Sequence, residues 1–284
     1  MRQKIILPTI AGLAALTVLA ACGGNADSGG NAAAQNCTPA HQFSTIEKGA
    51  LRVSSFDLPP YSKFEGSTLT GVDVDILNQI AKKECLTVKA QSLDAANVIP
   101  AVQNGRVDVA AGDWYRTAAR AQIVDLSDPL YIDQMGIISK DGANSLPALK
   151  GQKIGTVEGY LWVADTQKYY GSDLTTYPTS TAMWQDLHNG RIQVGFDSYG
   201  ASTYTNTKNN AGMKVEVAKP LADVAASKES AQATFPVSKK NPDLLKAIND
   251  DLAQMKQDGT IKKILTDNSL DASAADTGAP RLIS

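Results

Sequence analysis

The chain has 284 residues, 43% of them hydrophobic and 20% charged, with a formal net charge of −2. That length and composition suit one large domain or two ordinary ones with a sizeable core. The charge balance excludes the overall basic footprint of a nucleic-acid-binding protein, so no nucleic acid is expected as a partner.

The first 21 residues read as an export signal. Arg2 and Lys4 precede an apolar run over 5–21 that Pro8, Thr9 and Gly12 interrupt. A run so broken is short for a bilayer span and matches a cleaved signal peptide. Leu19-Ala20-Ala21-Cys22 resembles a bacterial lipobox. The resemblance implies cleavage before Cys22, lipidation of its thiol and anchoring at the extracytoplasmic face of the cell membrane. Each acyl CH2 that enters the bilayer contributes about 0.8 kcal/mol to such an anchor. Residues 22–43 are expected to form a flexible tether, because 23–36 is small, polar and glycine-rich and has no apolar area to bury. With Cys22 lipidated, Cys37 and Cys85 remain, and outside the cytoplasm this pair is predicted to close a disulfide. Two cysteines and the distant His41 and His188 lack metal-ligand spacing. No metal and no cofactor are expected.

Beyond the tether, strand-like and helix-like runs alternate. Residues 51–56 (LRVSSF) read as a strand, and 74–84 as a helix with Ile76, Leu77, Ile80 and Ala81 on one face. A strand over 87–93, a helix over 95–105 closed by Gly105 and a strand over 107–112 follow. The order βαβαβ implies a parallel sheet with helices on both faces. The pattern then restarts: strand 153–157, helix 162–170, strand 174–178, helix 180–190, strand 192–197. Two such units in tandem predict two lobes, with linkers at 130–134 and 230–235. A helix capped by Asn241, with Pro242 in its first turn, is expected to end at Gly259. Its apolar stripe is Leu245, Ile248, Leu252 and Met255. The division expected is lobe 1 over 44–132, lobe 2 over 133–232, a return to lobe 1 over 233–270, and a disordered tail over 271–284.

Motifs for nucleophilic or phosphate chemistry are missing: there is no Gly-x-Ser-x-Gly and no phosphate-binding loop. What the chain carries instead is a series of blocks. These are GVDVDILNQIAKK (71–83), VIPAVQNGRVDVAAG (98–112) with TAARAQIVDLSDPLY (117–131), LKGQKIGTVEG (149–159), HNGRIQVGFDS (188–198) and NPDLLKAINDDLAQMKQDGTIKKIL (241–265). In content and order they resemble the family 3 extracellular solute-binding proteins of ABC transporters. The resemblance implies a two-lobe, periplasmic-binding-protein-like (type II) α/β fold, each lobe a sheet flanked by helices, joined by a two-strand hinge. It also implies a role: a monomeric substrate-binding component that captures a small polar solute, such as an amino acid or a zwitterionic analogue, by hinge closure and hands it to an ABC permease.

The same resemblance implies roles for particular residues. Arg120, in Thr-x-x-Arg, would grip the solute's carboxylate with help from Thr117. A guanidinium suits that task because its planar fork matches carboxylate geometry. Asp197 would hold the α-ammonium, and Phe56 or Tyr61 would cover the solute's side chain. Gly159 and Tyr160 join them from the second-lobe loop. Four departures from the family pattern fall on pocket loops. Asp113-Trp114-Tyr115-Arg116 places four residues between Gly112 and Thr117 where the pattern has three. The loop from Phe56 to Pro60 is one residue short, as is the interval from Arg191 to Asp197. Tyr160 and Leu161 stand where small hydroxyl residues are usual. Phe56, Tyr61, Trp114 and Trp162, with Asp57 and Asp113 beside two of them, suit a cationic or ring-bearing solute. The competing reading packs Tyr61 and Trp162 into the lobes. The alternative function is an exported enzyme resembling cyclohexadienyl dehydratase, for which Glu158 is the second-lobe acid. A sensor domain is disfavoured because no membrane helix or signalling domain follows.

Overall fold

The structure is a computed structural model that describes residues 37–283. The export signal, Cys22 and the tether as far as Asn36 lie outside the described residues. Cys37 and Cys85 are disulfide-bonded, as expected. No helix among the described residues is long and apolar enough to cross a membrane.

The first elements are β1 (Ala50–Ser55), a hairpin of β2 (Lys63–Glu65) and β3 (Thr68–Thr70), and helix α1 (Val72–Lys83). Next come β4 (Thr87–Ser92), α2 (Ala95–Gln103) and β5 (Val109–Ala110). Helix α1 forms because its apolar positions recur at helical spacing: Val72, Ile76, Leu77 and Ile80 are buried, with Asp73 and Asp75 in the first turn and Lys82 and Lys83 in the last. The chain continues through β6 (Trp114–Tyr115), α3 (Ala118–Ile123), β7 (Asp125–Leu126) and β8 (Ile132–Asp133).

After these come β9 (Met135–Ser139), β10 (Ile154–Val157), α4 (Val163–Tyr170), β11 (Leu174–Tyr177), α5 (Ser180–His188), β12 (Val194–Ser198), α6 (Tyr199–Lys208) and β13 (Lys214–Val217). The chain returns through β14 (Ala231–Thr234) and β15 (Pro236–Val237) to α7 (Pro242–Gln257) and α8 (Thr260–Asp267). The first large sheet has the order β4-β1-β5-β15-β7 and the second β11-β10-β12-β9-β13. Strands β4, β1 and β5 are parallel, as are β11, β10 and β12. The βαβαβ order implied these parallel strands, and each sheet also takes in strands from outside those units. Strand β15 runs antiparallel to β5 and β7, and β9 antiparallel to β12 and β13, because each enters its sheet from the crossover side. Strand β14 pairs antiparallel with both β6 and β8 in a three-stranded sheet. This places the two predicted linker stretches side by side.

At the C-terminal end, Asn241 caps α7 by accepting a hydrogen bond from the Leu244 N–H. Leu245 is only partly buried, and Leu244, Ala247, Ile248, Leu252 and Met255 make the packing face instead. Gly259, in the left-handed region at φ 80°, ends one helix and opens another, α8. The tail expected to be disordered is ordered as far as Ile283, which is buried. Its order comes from backbone and side-chain hydrogen bonds to the body rather than from apolar composition. His41, placed by the sequence in the tether, is fixed as well. Its Nδ1 meets Glu84 Oε1 at 2.6 Å and its Nε2 meets Asp250 Oδ2 at 3.2 Å, beside a Lys83–Asp251 pair at 3.2 Å.

Candidate functional site

Between the two large sheets lies a cavity of about 20 Å³ lined by Phe56, Leu58, Gly112, Asp113, Trp114, Tyr115 and Arg120 from the first half, and by Tyr160, Leu161, Trp162 and Ser198 from the second. The space is roughly that of one water molecule. Aromatic rings fill the remainder. Phe56 meets Trp114 edge-on at 5.5 Å between centroids and reaches Tyr160 across the cleft at 6.1 Å. Tyr160 meets Trp162 edge-on at 5.3 Å.

The first-lobe wall rests on Asp73. This carboxylate is fully buried at the start of α1 and accepts hydrogen bonds from Gly112 N (2.7 Å), Asp113 N (2.9 Å) and the Tyr131 hydroxyl (2.6 Å). The bonds bend the chain after β5. Gly112 has φ 117°, and a Cβ there would stand 2.7 Å from the Phe56 ring. Asp113 follows at φ 55°, a region that Asp tolerates better than most side chains. The turn delivers Asp113 and Trp114 into the cavity.

Arg120 sits in α3. Thr117 caps that helix, its hydroxyl accepting from Arg120 N at 3.1 Å. The guanidinium stacks over the Trp114 ring at 4.7 Å and donates to the Tyr115 carbonyl at 2.8 Å. Burial lowers its pKa to about 10, with Tyr115 and Asp113 opposing the fall, so it remains a cation at neutral pH. Its other N–H groups are available to a planar anion. Asp113 lies at the same cavity, 7% exposed, and its Oδ1 has no hydrogen-bond partner. Burial raises its pKa well above the usual carboxylate range, and the neighbouring carboxyls of Asp133, Asp73 and Asp197 raise it further. A buried acceptor left bare in this way favours a donor or a cation at the site.

On the second wall, Trp162 is held by Nε1–H donation to Thr156 Oγ1 at 2.7 Å, and the Thr156 hydroxyl in turn donates to the Phe196 carbonyl at 3.0 Å. The Tyr160 hydroxyl is buried without a hydrogen-bond partner within bonding geometry. Asp197, at the end of β12, accepts from Ser180 Oγ at 2.5 Å and from Ser198 N at 2.8 Å. Burial raises its pKa to about 6, against the lowering influence of Ser180, Ser198 and Tyr160.

The structure therefore brings Arg120, Asp113, Trp114, Phe56 and Tyr160 together in one wall-to-wall cavity. Trp162 lines the cavity as well, and the remaining expected residues stand elsewhere. Thr117 works as a helix cap. Asp197 lies behind Ser198 and Tyr160 rather than on the cavity surface. Tyr61 is buried and stacked on Tyr131 at 5.1 Å, with planes 7° apart. Asp57 is exposed and binds the Phe64 N–H at 2.7 Å. Gly159, at φ 82°, marks a close crossing, since a Cβ there would come within 2.9 Å of the Ala96 backbone on α2. Glu158, the acid on which the enzyme alternative depends, is exposed and outside the cavity wall. Tyr115, Leu58 and Ser198 escaped the sequence reading. Only the position of Tyr115 next to Trp114, on the lengthened loop, signalled it.

The pattern of the bacterial extracellular solute-binding proteins, family 3, matches residues 52–268. The L-cystine-binding protein TcyJ of Escherichia coli K12 is 28% identical over 228 residues, covering 77% of this chain and 82% of that protein. The arginine-binding extracellular protein ArtP of Bacillus subtilis 168 is 25% identical over 224 residues, covering 77% and 85%. Among solved structures, an ancestral arginine-binding protein bound to arginine superposes with a TM-score of 0.69 at 31% identity, covering 78% of this chain and 98% of that one.

Proposed function

The chain belongs to the bacterial extracellular solute-binding proteins, family 3, and from that premise we propose that it captures a small zwitterion for an ABC importer. The carboxylate of the solute docks on Arg120. Its cationic or ring-bearing remainder lies among Phe56, Trp114, Tyr160 and Trp162, with Asp113 facing the positive charge. A cation over an aromatic face gains about 0.5–2 kcal/mol, depending on how far it is desolvated. Basic amino acids and betaine- or ectoine-like solutes suit this lining better than glutamate or aspartate do.

The observation that carries the reading is Arg120. A guanidinium stacked in an aromatic cavity, with a backbone partner and no ion-pair partner among the described residues, is built to receive an anion. The small cavity supports capture by hinge motion. A solute of several heavy atoms enters only when the Phe56–Tyr160 contact across the cleft opens. The lobes proposed are 44–132 with 233–270, and 133–232. Strands β8 and β14 form the crossover, Cys22 carries the lipid anchor, the protein works as a monomer, and the permease is its partner. The position of Glu158 outside the cavity supports a carrier over an enzyme.

A thermal-shift screen tests the proposal. Its panel is L-arginine, L-histidine, L-cystine, glycine betaine, ectoine, L-glutamate and L-aspartate. A true ligand at about one hundred times its Kd stabilises the folded state by about 2.7 kcal/mol. Selective stabilisation by glutamate or aspartate, with Trp114→Ala binding as well as wild type, would sink the zwitterion-in-aromatics reading.

A further inference from the structure

Residues 277–283 touch both the crossover and the site. Gln232 on β14 is 1% exposed, and its Nε2 donates to the carbonyls of Thr277 and Ala279, both at 2.8 Å. Its Oε1 accepts from Arg281 N at 2.8 Å. The Arg281 guanidinium then donates to the Ser230 carbonyl at 2.6 Å, and Arg116 Nε donates to the Arg281 carbonyl at 3.3 Å. At the far end the Ile283 carbonyl accepts from Ala118 N at 2.9 Å, and Ile283 N donates to the Arg116 carbonyl at 3.0 Å. Ile283 forms a parallel bridge with Thr117 and is 4% exposed in the same apolar cluster as Tyr115 and Trp162. Arg116 N, in turn, donates to the Gln232 carbonyl at 2.8 Å.

Each contact falls on something the solute site needs. Ala118 is the first residue of α3, and its N–H has no partner within its own helix. The Ile283 carbonyl supplies one, two residues before Arg120. The Ile283 side chain belongs to the same apolar cluster as Tyr115 and Trp162, which both line the cavity. Gln232 anchors the segment to the strand that crosses between the sheets. Its buried amide uses the segment's backbone as partners at three points, so it would be left bare without it.

We propose that 277–283 is a strap that positions the solute site: it braces the Arg120 helix against Trp162 and the crossover strand and so sets how tightly the cavity closes. The inference rests on the solute-binding reading of the cavity, and the strap residues act through Arg120, Tyr115 and Trp162 rather than by touching the solute.

The test compares the full chain with a chain ending at Asp276 and with Ile283→Asp, both checked for folding by circular dichroism. Hydrogen exchange is followed at 114–120 and 160–166, and calorimetry uses L-arginine, L-histidine and glycine betaine as probes. Exchange at Ala118 and around Trp162 is expected to quicken by about tenfold in both variants, since strapped amides open only with the strap. Affinity for whichever probe the full chain binds is expected to fall by about tenfold. Unchanged exchange would overturn the strap, and so would faster exchange with affinity held within about twofold. If the full chain binds none of the probes, the solute assignment is what fails, and the exchange data alone decide the strap. If the shortened chain does not fold, Ile283→Asp carries the comparison.

Discussion

The two walls of the cavity are built by different means. Asp113 and Trp114 stand on a turn whose backbone is fixed by hydrogen bonds to the buried Asp73, and Arg120 stands on a helix capped by Thr117 and braced by Ile283. Tyr160 and Leu161 stand on a loop with no such anchor. Tyr160 N reaches the Val157 carbonyl only at 3.4 Å, and its hydroxyl has no hydrogen-bond partner within bonding geometry. On that side Trp162 is tied down by Thr156, and Ser198 by Asp197 and Ala201. Under the proposed function the difference gives the walls different work. A carboxylate clamp must be pre-organised, because ordering it on binding would cost affinity. An aromatic cover has to repack as the cavity grows from one water's volume to a solute's.

Arg120→Ala attacks the fixed wall at its charge, and the largest effect is expected there. Leaving a docked carboxylate unpaired costs roughly 2–5 kcal/mol, about thirty-fold to several-thousand-fold in affinity. Arg120→Lys recovers part of this, because the ammonium keeps the charge and loses the fork. Calorimetry on folded Arg120→Ala protein with wild-type affinity would return the residue to a stacking role on Trp114.

Asp73→Ala removes the support beneath that wall. Two backbone N–H groups and the Tyr131 hydroxyl lose their acceptor in a fully buried position. Breaking a buried network of this kind costs about 3–5 kcal/mol of stability. Urea denaturation should show the midpoint falling, and a loss under about 1 kcal/mol would mean that water enters and replaces the carboxylate.

Much of this architecture was legible in the sequence, for reasons that differ by region. The sandwich of strands and helices follows from periodicity. Residues such as Ile76, Leu77 and Ile80 declare a buried face without help from the rest of the chain. Arg120 was singled out through the motif around it, and Asp113 and Trp114 through their place on a loop that departs from that motif; all three line one cavity. The place of Tyr61 was not legible, because a loop aromatic looks the same whether it faces a solute or stacks on Tyr131. The strap was invisible for a deeper reason. Its composition of small and polar residues has no core-forming pattern, and its order depends on Gln232, some 45 residues earlier in the chain. The clasp of His41 by Glu84 and Asp250 is likewise a product of distant partners.

Asp197 probes the adaptable wall from behind. Burial raises its folded pKa to about 6 from the ordinary 3.8. Below about pH 4 the folded and unfolded chains both hold the proton. As pH rises through the interval up to 6, the unfolded chain releases it while the folded chain retains it, so folding loses stability across that window. The full loss is on the order of 3 kcal/mol at about 1.4 kcal/mol per pKa unit, and it is complete above pH 6. Asp197→Asn should make this segment of a stability-against-pH profile, measured by urea titration, less steep, with the slope from Asp113 remaining. An unchanged slope between pH 4 and 6 in the variant would assign it to another buried acid, with Asp113 the first candidate.

The smallest effect expected is at Gly159, and it separates closure from chemistry. The residue holds φ 82° and crosses α2 so closely that a Cβ would lie 2.9 Å from Ala96 Cα and N. That contact is with backbone, so no side chain can swing aside to relieve it. Gly159→Val combines the clash with a left-handed backbone that a β-branched residue resists at about 1–2 kcal/mol. In the open form that the proposed function requires, the loop after β10 would stand clear of α2 and the clash would be relieved. The variant should therefore bind the wild-type solute about tenfold more weakly, mainly through faster release. Stopped-flow tryptophan fluorescence would measure that release, and small-angle scattering should find a larger radius of gyration at saturating solute. Equal release rates and equal compaction in Gly159→Val and wild type would show that the loop yields at no cost, and that the second wall adapts even where it crosses α2.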